Sequence, residues 1–452
     1  MRLRVKVAAT ITAAVAGLGP VVASAPALAA RSGSRIWMAS AADAKTSGSH
    51  GQVLVSPDGS TVYVGGGSDE TVTAYTAATG AVLWTASSPT SNTADAHLAL
   101  SPDGSAVYVT APKNYTTAYD TVAYNAATGA TLWTADAANS PYAFPTTITV
   151  SPDGSKVYVA GWKEAKTGSP SFYAIDAYDA ATGASLWQAT YSGPAQHSSF
   201  PFMTLSKDGS RIFVAGTTTD TTGAVEFATV AFSAGTGVKL WARRYKLPAG
   251  GGANALTVSP DGSRLFVTGT ADKRANPTHY ESVTLAYDAA TGVQLWLARL
   301  PAPTIGDTGT SAIAVSPDGV TVYVTGMTSG AYLTEAYGAA TGIKQWQALY
   351  TGPASNGYDA ADAIAVSPNG LTVYVTGAAQ PYTAGTTQVK ASDYATIAYN
   401  AVTGARFWVS TYQGASGDHV VAARSVAVSP DSSTAFVTGY ANGSIVTIAY
   451  RG

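Results

Sequence analysis

Eight of the nine tryptophans stand in one series, Trp37, Trp84, Trp133, Trp187, Trp241, Trp296, Trp346 and Trp408, with gaps of 47, 49, 54, 54, 55, 50 and 62 residues. A second marker keeps step with it. Ser-Pro-Asp-Gly begins at Ser56, Ser101, Ser151, Ser259 and Ser316, and altered copies begin at Ser206 (Lys207 for Pro), Ser367 (Asn369 for Asp) and Ser429 (Ser432 for Gly). Two markers in phase, repeating about every fifty residues, define a repeat architecture in which each unit buries its apolar face only against its neighbours.

One repeat, Ala363 to Trp408, shows what the unit is. Ala363–Val366 is a short strand. Ser367-Pro368-Asn369-Gly370 places Pro at the second turn position and Gly where a left-handed residue is wanted. Thr372–Thr376 is a β-branched and aromatic strand, read as stopped by Gly377. A variable loop leads to a third strand, Tyr394–Tyr399, then a turn at Asn400–Gly404 and a fourth strand at Arg406–Val409. The segments alternate over four to six residues and none carries a helical period. Four short antiparallel strands describe a propeller blade, whereas a parallel β-helix needs shorter repeats with fewer turns.

The last repeat has strands at Ser425–Val428, Thr434–Thr438 and Ile445–Tyr450 but no tryptophan strand, while Arg35–Met38 is a tryptophan strand with no repeat before it. The fragments complement each other. The expected fold is therefore all-β: a single eight-bladed β-propeller over residues 30–452, four antiparallel strands per blade, with the N-terminal strand closing the last blade and leaving no open edge at the junction.

Residues 1–29 read as a signal peptide for the general secretory route. Arg2, Arg4 and Lys6 precede an apolar stretch, Val7 to Val22, and Ala27-Leu28-Ala29 offers a cleavage site. A membrane anchor is the alternative, but the stretch is short and interrupted by Gly17 and Pro20. The expected location is extracellular, without membrane insertion, and the expected state monomeric. The chain has no cysteine, which excludes disulfides, thiolate metal sites and cysteine catalysis. With 46% hydrophobic and only 12% charged residues it cannot be a disordered chain. Loss of the three signal-peptide cations takes the formal net charge from −2 to −5, which argues against a nucleic-acid partner.

The segment Ala177, Asp179, Thr182, Gly183, Trp187 resembles the tryptophan-docking motif of quinoprotein-type (PQQ-like) propellers; Ala286, Asp288, Thr291, Gly292, Trp296 repeats it, and weaker copies surround Trp84, Trp133, Trp346 and Trp408. The resemblance implies that each Trp packs between blades against the backbone near the turn glycine. The Ser-Pro-Asp-Gly-x-x-Val-Tyr-Val run resembles the YVTN-type repeats of secreted bacterial propellers. Both are specific for fold, and such repeats recur on proteins of unrelated activity.

In a four-stranded blade the first–second and third–fourth turns share one face of the disk, and here they are stereotyped. The opposite face carries the variable connections, where sites on rigid scaffolds are usually built. The longest second–third loops are read as Trp162–Phe172, Ala271–Tyr280 and Ala378–Asp393, and all five histidines map to this face. Entrances to blades 7, 8, 1 and 2 bring Asp362, Asp418, His419, Arg424, His50, Asp95 and His97; those of blades 3 and 4 bring Phe144 and Phe202. A polar sector facing an apolar wall is the usual form of a ligand site. Two plain readings stand beside it: solvated loop histidines, and an Asp362–Arg424 pair that only joins neighbouring blades.

No catalytic motif of the common hydrolase, phosphate-loop or metallopeptidase kinds is present. The expected function is a secreted scaffold that binds a small molecule, a glycan, an envelope polymer or a protein through its variable face, with no cofactor, no metal and no catalytic residue assigned. A propeller enzyme such as a quinoprotein-like dehydrogenase is the alternative, weakened by the absence of the adjacent cysteine pair which that family often places under the quinone. A purely architectural surface protein is the third reading.

Overall fold

The computed structural model describes the chain except residues 1–32, 43–50, 67–70, 88–95, 115–116, 138–141, 165–169, 196–197, 248–249, 274–275, 301–306, 353–358, 380–392, 415–420 and 442. Its thirty-two strands form eight four-stranded antiparallel sheets in sequence order. Blades 1 to 7 span residues 52–86, 97–136, 142–191, 198–246, 251–300, 308–350 and 360–412. Blade 8 joins three strands of residues 421–451 to β1, Arg35–Ala42, which pairs with Ser444–Arg451 with Trp37 opposite Ala449. Closure by the N-terminal strand is as expected. First strands pack against first strands around the ring and form its inner wall.

The tryptophan series binds blade to blade. Each indole on a fourth strand lies on the glycine of the next blade's third–fourth turn, where a Cβ at Gly80, Gly129, Gly183, Gly237, Gly292, Gly342 or Gly404 would fall 2.6–2.7 Å from the ring. These glycines also hold φ between +68° and +73°, so the turn needs glycine on two counts. Six indoles also donate Nε1–H to an alanine carbonyl of that turn: Trp37 to Ala77 (2.7 Å), Trp84 to Ala126, Trp133 to Ala180, Trp241 to Ala289, Trp296 to Ala339 and Trp346 to Ala401. Tyr63, Tyr108 and Tyr323 donate to the same acceptors as Trp84, Trp133 and Trp346, so ring and hydroxyl converge on one oxygen.

Blade 8 has no Ala-Ala-Thr-Gly turn for Trp408 to rest on. Gly33, at φ +51°, takes that place: a Cβ there would lie 2.4 Å from the Trp408 indole. Gly452 occupies the alanine position, its N–H donating to Ser433 O (2.7 Å) as that of Ala401 does to Leu371 O (3.1 Å). The N-terminal segment therefore supplies both the missing strand and the missing docking glycine.

On the same face the Ser-Pro-Asp-Gly turns close on themselves. In the first, Ser56 Oγ donates to Asp58 Oδ1 (2.5 Å) and accepts from Thr61 N (2.9 Å), while Asp58 also accepts from Ser60 N (3.0 Å). Donation by the turn serine, then by the N–H and hydroxyl two residues on, holds Asp58, Asp103, Asp153, Asp208 and Asp261 at a pKa of about 2. Ser432 keeps the left-handed conformation without glycine (φ +64°), and its Oγ accepts from Asn369 N of blade 7 (3.1 Å).

Outside blade 1, whose second strand ends at Gly66, the second strands do not stop at glycine. The second strand of blade 7 runs through Gly377, Thr372–Ala379, and the region read as a loop at Ala271–Tyr280 lies mostly in two long strands, Arg264–Lys273 and Asn276–Asp288. The glycine is there for proximity: a Cβ on Gly377 would sit 2.1 Å from the Ala360 carbonyl on the first strand. That approach accompanies a bulge in the first strand at Asp362, between Ala361 and Ala363, with counterparts at Thr146, Asn254, Ser311 and Arg424.

Two outcomes test these contacts. Trp37→Ala should cost about 3–5 kcal/mol in chemical denaturation, as for other buried Trp truncations, and Gly33→Val should lower the melting temperature as Gly80→Val does; a wild-type melting curve for Gly33→Val would show that Trp408 does not need it. The turn aspartates titrate lower folded than unfolded, so their stabilisation is full above about pH 4 and is lost as pH falls towards 2. Melting temperature against pH should fall in that window, more shallowly in an Asp58→Asn, Asp103→Asn double variant.

Candidate ligand site

The bulged residues lie five positions before each turn serine, and several of them reach across to a neighbouring blade's first strand. Thr146 Oγ1 donates to Pro201 O, Asn254 Nδ2 donates to Thr310 O (2.7 Å), and Arg424 Nη1 donates to Asp362 Oδ2 (3.0 Å). Blades 1 and 2 break this pattern. Their first strands, Gln52–Val55 and His97–Leu100, are four residues long, and the register position is held by Gly51 and Ala96. With no bulge and no side chain larger than a methyl group there, a cavity of about 310 Å³ opens among the first strands of blades 8, 1, 2 and 3.

Its described lining is Gly51, Gln52, Ala96, His97, Leu98, Thr146, Thr147, Ile148, Arg424 and Ser425. Two side chains are locked to neighbouring backbone: Gln52 Oε1 accepts from Leu98 N (2.7 Å), and Ser425 Oγ accepts from Val53 N (3.2 Å). Arg424 is paired with Asp362, the two side chains being 34% and 22% exposed, so the pair is half-desolvated and each charge depends on the other.

Of the residues singled out from sequence, His97 and Arg424 line this cavity and Asp362 stands behind Arg424 as its partner. Phe144 stacks on Trp162, the tryptophan outside the series, with ring centroids 4.7 Å apart and planes within 17°. Phe202 is half-buried and pairs in register with Ala215. Asp418, His419, His50 and Asp95 lie outside the described residues, as does the side chain of His279. Gln52, Thr146, Thr147 and Ser425 were not foreseen. The signal was available: they stand four or five residues before their turn serines, the same count that marks Asp362, Arg424 and His97.

A second charged cluster lies between blades 2 and 3. Lys163 donates to both oxygens of Asp176 (3.2 and 2.9 Å), and Tyr119 donates to the same carboxylate; all three are buried. Burial, and then the charge of Asp176, push the Tyr119 hydroxyl well above its ordinary pKa. These groups answer one another and clasp two blades together.

A planar quinone does not fit the described lining of the axial cavity. None of its described lining residues is a Trp, Tyr or Phe whose ring could stack it. Among the described residues, no group of three or more His, Asp or Glu is placed to hold a metal ion.

No curated protein matches the chain. Among solved structures it is similar to the Dos1 propeller (11% identity, 91% of this chain and 95% of that one, TM-score 0.56), to Kuenenia stuttgartiensis hydrazine synthase (17%, 73% and 95%, 0.51) and to BamB from Moraxella catarrhalis (14%, 93% and 97%, 0.49). At these identities the first two show a shared propeller fold. A family model described as outer membrane protein assembly factor BamB matches residues 23–225 and 226–384, most of the chain, and the chain belongs to that family of PQQ-type propellers.

Proposed function

We propose that this propeller is a binding scaffold whose site is the cavity between the first strands of blades 8, 1, 2 and 3. The observation that carries the reading is the local break in an otherwise regular inner wall. Where blades 3, 5, 7 and 8 send polar side chains across to a neighbour, blades 1 and 2 present Gly51 and Ala96, and the space so left is lined by hydrogen-bonding groups, of which Gln52 and Ser425 are already fixed in place. Fixed polar groups around a small cavity suit recognition. The pairing of Arg424 with Asp362 suits orientation of a bound molecule better than proton transfer, since each charge is stabilised by the other. The family's description as an assembly factor also points to binding rather than turnover. Export by residues 1–29 and an extracellular site of action belong to the same reading.

A thermal-shift screen of metabolites and glycans against the wild type and Thr147→Trp, which fills the cavity, tests it. Molecules that stabilise the wild type should leave Thr147→Trp unmoved; equal stabilisation of both would place binding elsewhere. Asp362→Ala should lower the melting temperature by stranding the Arg424 charge, whereas Asp362→Asn should keep the fold, its amide oxygen still accepting from Arg424; Arg424→Gln should weaken any ligand found by about tenfold, the size of one charged hydrogen bond.

A further inference from the structure

The hydrogen-bond geometry around the cavity fixes which kind of atom a guest must offer. A backbone N–H can only donate, so the oxygen facing it must accept. Leu98 N therefore sets the Gln52 amide with Oε1 towards the backbone, leaving both protons of Nε2 to give. Val53 N occupies a lone pair of Ser425 Oγ and leaves that hydroxyl its proton. Arg424 has five N–H donors and no acceptor, and the described structure commits Nη1 to Asp362. Blades 8 and 1 thus present donors only from three side chains. Across the cavity Thr146 has given its one proton to backbone carbonyl, so its Oγ1 presents lone pairs. None of the described lining residues carries a carboxylate.

We propose that the cavity takes a small hydroxy acid, such as a single uronic acid, with its carboxylate on Arg424, Ser425 and Gln52 and a hydroxyl on Thr146. This deepens the binding reading above and rests on it. Charge-assisted bonds from a planar guanidinium suit a carboxylate, and Arg424 has a second edge to offer while Asp362 holds the first. A cavity of about 310 Å³ is at the small end for ligand sites and matches one sugar-sized molecule rather than a chain.

The test pairs each acid with a neutral twin. Glucuronate with glucose, galacturonate with galactose, and a series of smaller hydroxy acids with their amides are titrated into the full mature chain by calorimetry and ligand-observed NMR. At least one acid should bind at millimolar concentration or better, its neutral twin about tenfold more weakly or not at all. Arg424→Gln should erase that preference and Arg424→Lys restore part of it. Gln52→Ala, which leaves the Asp362 pair intact, should weaken the acid several-fold without a loss of melting temperature comparable to that of Asp362→Ala. Acids and neutral twins binding equally, with both lost in Thr147→Trp, would overturn the ligand class and leave the site standing. An acid that binds wild type and Thr147→Trp alike would overturn the site. Failure of every acid to bind at millimolar concentration would overturn the proposal.

Discussion

An indole laid on a glycine, with its N–H given to the carbonyl beside that glycine, is the contact on which the ring depends. A blade has two sheet faces and an outer strand with an open edge, and it cannot bury those faces alone. The tryptophan makes the outermost strand of one blade specific for the third–fourth turn of the next, so it fixes both the spacing of blades and their rotation about the ring. Its demand on sequence is narrow: glycine at a left-handed position with no room for a Cβ, and an accessible carbonyl nearby. Trp187 and Trp408 keep the ring contact while their Nε1 lacks a partner among the described residues, so stacking is the common element and the hydrogen bond an addition.

The fold was legible because its signals are rare residue types in fixed phase. Tryptophan, proline and glycine at constant offsets have few alternative meanings, and the missing fourth strand at one end matched the spare one at the other. The site was only partly legible. Arg424, Asp362 and His97 stood out as charged or ionisable residues in a charge-poor chain, and two of them reach the cavity. Gln52, Thr146 and Ser425 carry no such mark, and their role depends on whether the first strand bulges. That in turn follows from a close approach by glycine on the second strand, a relation between strands that no single segment displays. The aromatic wall was inferred from residue type alone; Phe144 instead meets Trp162, its cross-strand partner, through register set by the hairpin.

Regularity and variation are divided between the faces of the disk. The Ser-Pro-Asp-Gly turns are hydrogen-bonded within themselves and the Ala-Ala-Thr-Gly turns receive the neighbouring blade's tryptophan, which is why both repeat with so little change. The cavity appears where repetition is relaxed, at two blades with short first strands and the smallest residues at the shared register position. Membership of the BamB-type family accounts for the first pattern. The second belongs to this chain's own residues.

The closing strand also shapes the order in which the ring can form. Within blades 1 to 7 every pairing joins neighbours in sequence, and every docking tryptophan but Trp408 meets a turn only one repeat away, so seven blades can assemble from contacts of short range. The pairing of Trp37 with Ala449 is different in kind, since it must draw together the two ends of nearly the whole chain. The entropic cost of such a long closure grows only slowly with length, but it precedes any return from the contact. Ring closure is accordingly the contact of longest range in the fold, and it carries an entropic cost that no pairing within blades 1 to 7 shares. Without it the last three strands present a bare edge, and the first strand has no partner. A chain built in this way cannot pair its N-terminal strand until residues 444–451 have been made, so the first strand to emerge is the last to find its place in a sheet.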